Sequence, residues 1–427
     1  MRSYSRIGLS AALVVFAGVL GACSSSNNSV APTSVRLVNA TTAGTTSPVL
    51  DLSLSGAPAV TGIAVGSASG YVSQNPSTYA ASVTDETGTL SSGTPLTVNL
   101  GTGESYTIVA YTLGTTAAMG YLTDSLGIPS SGQSAVAFAN FSTDAGPLDV
   151  YVLPQNTASV PVGVPPVFGD VTGQSLPVTE PAGTYTIIAT KPNTPSDVRF
   201  INPSVNLAGG QAEVVAFTPT SGGGLVNGML IVQGGTATTM AMNYARVRIA
   251  AELPTANTLV AATVGTTPVT ANAPFVGPYT LVPAGGAVTG ITAAGASVTA
   301  PTTTLAAGSD YTLVVYGSTP TATLFADDNQ YPGNGGATIR VVNAAPTSGQ
   351  VNLYLNSAFT ASATYATTAA ASAYVGIAPA MSEAISLVGA TPISLPSSTA
   401  NFVAGSVYSI FVYPAATGTA GFLIEDR

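Results

Sequence analysis

The stretch Leu305–Tyr316, which reads LAAGSDYTLVVY, decides the fold because versions of it recur along the chain. Near copies stand at 100–111 and 402–413, and a degenerate copy at 207–213 ends in Glu213 where the others have tyrosine. An apolar residue, a glycine three positions later and a tyrosine six positions later are typical of a tight turn that enters a β-strand. The chain is therefore predicted to consist of repeated β units.

The period of this turn indicates tandem domains. Tyr106, Glu213, Tyr311 and Tyr408 lie about 100 residues apart, which is much longer than the 20–50 residues of a solenoid repeat. A unit of this length suits an immunoglobulin-like sandwich of about seven strands, which can bury a core of its own. We therefore predict an all-β protein of tandem immunoglobulin-like β-sandwich domains. The predicted domains are residues 34–126, 134–234, 243–328 and 336–427.

The repeated tyrosines are predicted to be structural. In immunoglobulin-like sandwiches a tyrosine near the start of strand F bonds back to the upstream backbone, an arrangement called the tyrosine corner. Tyr106, Tyr311 and Tyr408 fit that position, and ligand contact is the alternative. Alternate residues of the opening strands, such as Val136 and Ile339, are expected to face the cores.

Composition excludes several chemistries. The chain is 46% hydrophobic and only 6% charged, and it carries a net charge of −9. Lys191 is the single lysine and no basic cluster is present, so nucleic acid is not an expected partner. Because histidine is absent and Cys23 is the only cysteine, a Ser-His-Asp triad, a His or Cys metal cluster and an internal disulfide are excluded. We predict no enzyme activity, no catalytic residues and no cofactor or bound metal.

The N-terminus predicts export. Arg2 and Arg6 precede the apolar run Ile7–Leu20, which is shorter than the roughly 18 residues needed to span a membrane. Leu20-Gly21-Ala22-Cys23 resembles the lipobox of bacterial lipoproteins, in which the cysteine receives a diacylglyceryl group. Residues 1–22 are then a lipoprotein signal peptide and residues 23–33 a lipidated tether. An ordinary cleaved leader is the alternative.

The lipobox implies a location. Two or three acyl chains hold a protein stably at a membrane, so we expect a membrane contact through lipid on Cys23. The residue after the cysteine is Ser24 and not aspartate, which resembles the pattern sorted to the outer membrane in enteric bacteria. The expected location is the bacterial cell envelope at the outer membrane, with the periplasmic or surface face left open.

The openings of the units resemble a known family. Val341–Pro346 leading to Val351–Leu355, and Ala139–Pro147 leading to Leu148–Val152, are similar to the opening of the DUF4397 family, which reads roughly VRVVNASPDAPxVDVYV. The chain departs from that pattern at three positions: Val260 and Asn352 replace its aspartate, and Glu213 replaces its corner tyrosine. The resemblance implies an exported immunoglobulin-like module with no assigned biochemical function.

Two sets of acids are candidate sites. Asp51 and Asp149 begin equivalent strands, where a carboxylate is expected to accept backbone N–H bonds, with ligand or metal contact as the alternative. Asp327-Asp328 lies between the third and fourth units. A solvated linker is expected there, and Ca²⁺ binding stays open because oxygen ligands suit calcium.

These features predict a lipid-anchored protein with a structural or adhesive surface role. The alternative is a module that binds a glycan or another small envelope ligand. For that alternative we single out the second unit, with its segment Pro161–Pro166 and Glu213. The expected partners are the membrane and, beyond it, envelope polysaccharide or surface proteins.

Overall fold

The structure is a computed structural model that describes residues 31–42, 48–88, 90–333 and 335–427. The secondary structure of these residues consists of 35 β-strands in eight sheets, without a helix. The prediction of an all-β protein of tandem β-sandwiches is therefore confirmed. Among the same residues, no helix is long and apolar enough to cross a membrane. Cys23 and the predicted signal peptide lie outside the described residues.

Sandwich 1 has two four-stranded sheets. Its strands are β1 (Thr33–Asn39), β2 (Leu50–Leu54), β3 (Ala57–Ile63), β4 (Val72–Gln74), β5 (Ser77–Asp85), β6 (Leu96–Leu100), β7 (Ser105–Leu113) and β8 (Thr116–Thr123). The first sheet has the order β4-β1-β7-β8 and the second has the order β3-β2-β5-β6. The hairpin β2–β3 thus stays within one sheet, whereas the corresponding strands B and C of an immunoglobulin constant domain lie in different sheets.

Sandwich 2 has one additional strand. Its strands are β9 (Gln133–Asn140), β10 (Leu148–Pro154), β11 (Phe168–Val171), β12 (Val178–Pro181), β13 (Gly183–Lys191), β14 (Thr194–Leu207), β15 (Ala212–Pro219), β16 (Val226–Val232) and β17 (Ala237–Met240). The sheets have the orders β12-β9-β15-β16-β17 and β11-β10-β13-β14. Because β17 pairs with β16, this group of strands extends beyond residue 234, where the sequence places the end of the second domain.

Sandwich 3 repeats the plan of sandwich 1. Its strands are β18 (Tyr244–Glu252), β19 (Leu259–Val264), β20 (Thr267–Asn272), β21 (Thr280–Pro283), β22 (Val288–Ala293), β23 (Ala296–Ser297), β24 (Asp310–Tyr316) and β25 (Thr321–Asp327). They form the sheets β21-β18-β24-β25 and β20-β19-β22-β23.

Sandwich 4 has the same core plan with short added strands. Its strands are β26 (Ala337–Asn343), β27 (Gln350–Leu355), β28 (Ala358–Thr364), β29 (Ala370–Ala371), β30 (Val375–Ile377), β31 (Ala380–Val388), β32 (Ile393–Ser394), β33 (Thr399–Phe402), β34 (Val407–Ala415) and β35 (Gly418–Glu425). The first sheet is β29-β26-β34-β35-β32, with β30 also paired to β26, and the second is β28-β27-β31-β33.

Each sandwich buries an apolar core between its two sheets. Residues that alternate along the opening strand enter this core because successive side chains of a strand point to opposite faces. Val35 and Leu37 do so in sandwich 1, and both are fully buried. Val136 and Ile339 are fully buried in the cores of sandwiches 2 and 4, as the sequence predicts.

The strand pairing decides where the chain enters and leaves each sandwich. The opening strand pairs in parallel with the strand that follows the corner turn, so Val35 lies opposite Tyr106. The final strand returns antiparallel, which places Thr123 opposite Tyr106 as well. Entry and exit therefore lie at the same end of sandwich 1, and sandwiches 3 and 4 have the same arrangement. In sandwich 2 the extra strand β17 carries the chain back to the opposite end.

This path groups the sandwiches into two pairs. The outer faces of the first sheets of sandwiches 1 and 2 share one apolar cluster, which includes Val38, Val109, Ala139 and Ala216. Sandwiches 3 and 4 share another, which includes Ala250, Val314, Val342 and Phe411. When the chain leaves a sandwich at the end where it entered, the next sandwich can lie beside the first. In sandwich 2 the additional strand β17 takes the chain to the opposite end, from which it continues into the second pair.

Candidate functional site

Three of the four sandwiches carry the same buried cluster of polar side chains, which we call the arginine cluster. It consists of an arginine on the opening strand, a hydroxyl residue directly after the corner tyrosine, an aspartate at the end of the last strand and a second tyrosine. Its members are Arg36, Thr107, Asp124 and Tyr71 in sandwich 1; Arg248, Thr312, Asp327 and Tyr279 in sandwich 3; and Arg340, Ser409, Asp426 and Tyr374 in sandwich 4.

The arginine points away from the core of its own sandwich. Arg36 stands between Val35 and Leu37, and since these face inward, its side chain leaves on the opposite face. It is nevertheless only 1% exposed, because the neighbouring sandwich covers that face. Burial of a guanidinium is costly unless its charge and its N–H groups are satisfied.

The geometry of the cluster in sandwich 1 meets that need. The Nε of Arg36 donates to Thr107 Oγ1 at 2.7 Å, and Thr107 donates to Asp124 Oδ2 at 2.5 Å. The hydroxyl of Tyr71 donates to the same carboxylate oxygen at 2.6 Å, and the guanidinium lies 4.9 Å from the centre of the Tyr71 ring. Burial and the bond to Asp124 raise the pKa of Tyr71 to about 12.

Sandwich 3 reproduces this arrangement closely. Arg248 donates to Thr312 at 2.9 Å, and both Thr312 and Tyr279 donate to Asp327 Oδ2, at 2.6 and 2.7 Å. The Arg248 guanidinium lies 4.4 Å from the centre of the Tyr279 ring, where a cation–π attraction is expected.

In the second pair the arginine clusters reach across to each other. Arg248 of sandwich 3 donates to Asp426 of sandwich 4 at 2.6 Å, while Arg340 of sandwich 4 donates to Asp327 of sandwich 3. Burial opposes the ionisation of Asp327, but Arg340 and Arg248 outweigh it and hold the pKa of that carboxyl below its ordinary value. The contact is reciprocal, so each sandwich supplies one arginine and one aspartate.

In the first pair the contact runs in one direction. Arg36 donates to the carbonyl oxygens of Gly235 and Val232 in sandwich 2, at 2.7 and 2.9 Å. Sandwich 2 lacks the cluster: Ala137 occupies the arginine position and Val214 the hydroxyl position. Backbone carbonyls thus take the place of the missing aspartate as acceptors.

A glycine-rich loop joins the two pairs. Ser221–Gly224 connects β15 and β16, as the sequence predicts, and its glycines contact sandwich 3. A Cβ on Gly222 would lie 2.6 Å from the Gly308 carbonyl oxygen, and one on Gly224 would overlap the guanidinium of Arg246. Arg246 is held by Asp310 of its own sandwich at 2.6 and 2.8 Å and by Asp197 of sandwich 2 at 3.1 Å.

The corner tyrosines have the structural role that the sequence predicts. The hydroxyl oxygens of Tyr106, Tyr311 and Tyr408 each accept the backbone N–H five residues upstream, at 2.9, 3.0 and 2.9 Å. Glu213, which replaces the tyrosine in sandwich 2, accepts the equivalent N–H of Ala208 at 3.3 Å and the hydroxyl of Ser134 at 2.9 Å. Burial raises the pKa of Glu213. The substituted residue therefore preserves the corner.

The candidate acids are occupied by the protein itself. Asp51 accepts the N–H of Gly62 at 2.8 Å, and Asp149 accepts those of Asp170 and Asn193 at 3.1 and 2.9 Å, as expected for backbone capping. Asp327 is not part of a solvated linker, because it is 5% exposed and bound to arginine. Within the described ranges, no group of three or more His, Cys, Asp or Glu side chains could hold a metal ion.

The proline-rich segment Pro161–Pro166 of sandwich 2 is largely exposed, and Val162 is among its exposed residues. Val160, directly before this segment, packs on a small apolar cluster formed by Tyr151, Leu153 and Ile188 on the outer face of the second sheet. Glu213 lies on the first sheet instead, so the two features singled out in the second unit do not form one site.

A cavity lies where sandwiches 1, 2 and 3 meet. It measures about 590 Å³, and its walls include Thr112, Asn227, Met242 and Gln330. This volume is within the range of small-molecule sites, roughly 300–1,000 Å³.

Sequence reasoning missed the arginine clusters. Their signal was present, because an arginine flanked by two apolar residues recurs at 36, 248 and 340 on the opening strands of a chain with very few basic residues. An arginine in the middle of an apolar strand, with no acidic residue beside it in the sequence, indicates a partner elsewhere in the chain. Charged residues are almost never fully buried without such a partner.

The fold and the clusters define a protein of tandem β-sandwiches joined through buried ion pairs. The family model described as "Domain of unknown function (DUF4397)" matches residues 33–151 and 245–354, together more than half of the chain. The chain therefore belongs to the DUF4397 family, and the two matched segments agree with tandem domains. No curated protein matches the chain.

Solved structures show distant similarity. One is a candidate cell adhesion protein from Bacteroides uniformis ATCC 8492, with 12% identity and a TM-score of 0.13, covering 69% of this chain and 100% of that one. Another is the Bacillus anthracis TIE protein, with 8% identity and a TM-score of 0.14, covering 85% of this chain and 66% of that one.

Proposed function

We propose that the protein is a lipid-anchored component of the bacterial cell envelope, expected at the outer membrane, with a structural or adhesive role. The observation that carries the proposal is the reciprocal pairing of Arg248 with Asp426 and of Arg340 with Asp327. Such buried ion pairs join neighbouring sandwiches through their first sheets. The outer faces of the second sheets are then left on the surface of the protein. That surface is rich in hydroxyl groups, including exposed Thr84, Thr289 and Ser386.

Support for the anchor comes from the N-terminal sequence, in which the lipobox-like Leu20-Gly21-Ala22 precedes Cys23. Replacing Cys23 with serine removes the thiol that would accept the lipid. Cys23→Ser is therefore expected to abolish incorporation of radiolabelled palmitate and to move the protein from the membrane fraction to the soluble fraction. Ser24→Ala, which keeps the cysteine, is the matched control. Membrane retention of Cys23→Ser in detergent-phase partitioning would contradict the anchor.

The structural or adhesive role is tested in cells. Deletion of the protein is expected to reduce attachment to surfaces or to weaken resistance of the envelope to detergent. Expression of the wild-type chain should restore the phenotype, and Cys23→Ser should not, because an unanchored module cannot transmit contact to the membrane. Equal attachment and equal detergent resistance in the deletion and parent strains would argue against this role.

A second function, binding of a glycan or another small polar ligand, is supported by the cavity between sandwiches 1, 2 and 3. Its walls offer threonine hydroxyls, the side chains of Asn227 and Gln330 and apolar contacts from Met242. A glycan array and a thermal-shift screen of the whole protein test this function. Replacing Thr112 with tyrosine should narrow the cavity and weaken any binding found there. Binding that is unchanged in Thr112→Tyr would place the ligand elsewhere.

A further inference from the structure

Glu252 occupies an unusual position between sandwiches 3 and 4. It is the last residue of β18, on which Arg248, Ala250 and Glu252 alternate and therefore point to the same face. That face packs on sandwich 4: Arg248 binds Asp426, and Ala250 belongs to the apolar cluster that the two sandwiches share. Glu252 thus lies in the contact layer of the second pair.

The carboxyl of Glu252 is buried without a polar partner. The residue is 0% exposed, and neither oxygen has a hydrogen-bond partner within the part of the chain that the structure describes. Burial of an unpaired carboxylate is very unfavourable, so such a group stays neutral instead. Burial raises the pKa of Glu252 well above the ordinary glutamate value.

The equivalent positions of the other sandwiches show that the fold does not need an acid here. Four residues after the cluster position on the opening strand stand Ala40 in sandwich 1, Phe141 in sandwich 2 and Ala344 in sandwich 4. All three are uncharged and apolar. Glu252 is therefore a specific addition to one of the contacts between sandwiches and not a part of the common framework.

The surroundings of Glu252 contain two other titratable groups. Tyr316 lies opposite it on β24, and the Tyr316 hydroxyl accepts the N–H of Ala369 from sandwich 4 at 3.0 Å. Tyr413 faces it from sandwich 4, where burial raises the Tyr413 pKa. The arginine clusters lie at the other end of the face, four residues or about 13 Å along the strand from Glu252.

We propose that Glu252 is a proton-dependent switch in the contact between sandwiches 3 and 4: the neutral carboxyl fits the closed contact, and loss of its proton to water favours opening. In the opened contact the carboxyl meets water and ionises near pH 4.3, as glutamate ordinarily does. Because the closed state holds the proton to a higher pH, opening releases a proton throughout the interval between the two pKa values.

The sign and size of the effect follow from this linkage. The contribution of Glu252 to the stability of the contact is greatest below about pH 4.3, and above that pH it raises the opening equilibrium tenfold per pH unit until the pH reaches the raised pKa of the closed state. Asp327 does not produce this trend, because its lowered pKa keeps it ionised across that interval. The ion pairs between the sandwiches therefore hold the contact closed while Glu252 makes it sensitive to pH.

Hydrogen exchange of the full chain in detergent, followed by mass spectrometry between pH 5 and 9, tests the switch. After correction for the intrinsic pH dependence of exchange, peptides covering β24 and β34 of the wild type should exchange up to tenfold faster per pH unit. Glu252→Gln, and Glu252→Ala as in sandwiches 1 and 4, should remove this increase. Glu86→Gln, at an exposed site in sandwich 1, should behave as the wild type does.

An equal increase in the wild type and both Glu252 variants would overturn the proposal. If the Glu252 variants fold poorly, the proposal can still be tested by measuring the titration of Glu252 in the wild-type protein. Carboxyl ¹³C chemical shifts of the wild-type protein labelled in its glutamate residues report the titration of Glu252 itself. Titration of Glu252 near pH 4.3 in the closed state would also overturn the proposal, whereas a much higher midpoint would support it.

Discussion

At the scale of single residues, the corner tyrosine is the clearest link between sequence and fold. Its hydroxyl satisfies a backbone N–H that the tight turn would otherwise leave unpaired, and a buried unpaired donor costs about 1–3 kcal/mol. Glu213 shows that the acceptor matters more than the ring, because the carboxylate of Glu213 accepts the same N–H in sandwich 2. Residues of different chemistry can thus fill one position.

We expect Tyr311→Phe to lower the free energy of unfolding by about 1–3 kcal/mol, since the N–H of Ala306 loses its acceptor. Thermal and denaturant unfolding measure the change. Tyr121→Phe is the matched control, because Tyr121 is 41% exposed. A loss in Tyr311→Phe no larger than that of the control would show that the corner bond contributes nothing.

The corner could be predicted from sequence because all its parts lie within seven residues. The partners of the arginine cluster are separated by 71 residues for Arg36 and Thr107, and by 178 residues for Arg248 and Asp426. No local pattern reports such pairs. The role of Asp327 was missed for the same reason: the residues that follow it in sequence are acidic or polar, while its partners in space include two arginines.

At the scale of elements, the loop Ser221–Gly224 has a role that its sequence did not indicate. A run of glycines between two strands is usually explained by the turn alone, and Gly223 does adopt a positive φ of 84°. Gly222 and Gly224 do not need such a conformation. They are small because sandwich 3 approaches the loop closely.

Gly224→Ala is expected to displace the Arg246 side chain and to destabilise the contact between sandwiches 2 and 3 by about 1–3 kcal/mol, the usual cost of overpacking. Limited trypsin digestion measures the result as faster cleavage after Arg246. Gly132→Ala is the control, because an added Cβ there has no neighbour within 4 Å. Equal cleavage rates in the two variants would mean that the loop does not dock sandwich 3.

At the scale of the whole molecule, the tandem domains are not a simple string. Their fold class could be read from the repeats, because each repeat encodes its own turns and core. Their arrangement could not, because it depends on which faces meet after folding. The entry and exit of the chain at one end of a sandwich, together with the extra strand β17, explain the two pairs in physical terms.

Arg340→Met should separate sandwiches 3 and 4. It leaves the buried carboxylate of Asp327 with the more distant Arg248, 3.9 Å away, as its remaining arginine partner, so we expect a loss of about 3 kcal/mol. Small-angle scattering should show a larger radius of gyration than that of the wild type. Lys191→Met, which changes the same amount of charge at an exposed site, should leave both quantities unchanged. A wild-type radius in Arg340→Met would rule out a role for this ion pair in joining the sandwiches.

The shared position of entry and exit has a mechanical consequence. Tension applied along the chain would pull on β18 and β25, the first and last strands of sandwich 3, from the same end. The hydrogen bonds that each of them makes with β24 would then be loaded one after another. A sheet loaded in this way peels at low force, unlike one in which all bonds are strained together. Asp327 lies at that same end of β25 and is bound by Arg340 of the neighbouring sandwich, whereas Arg248, midway along β18, binds Asp426. When the chain is pulled through its ends, the pair Asp327–Arg340 would therefore be among the first contacts of sandwich 3 to bear the force.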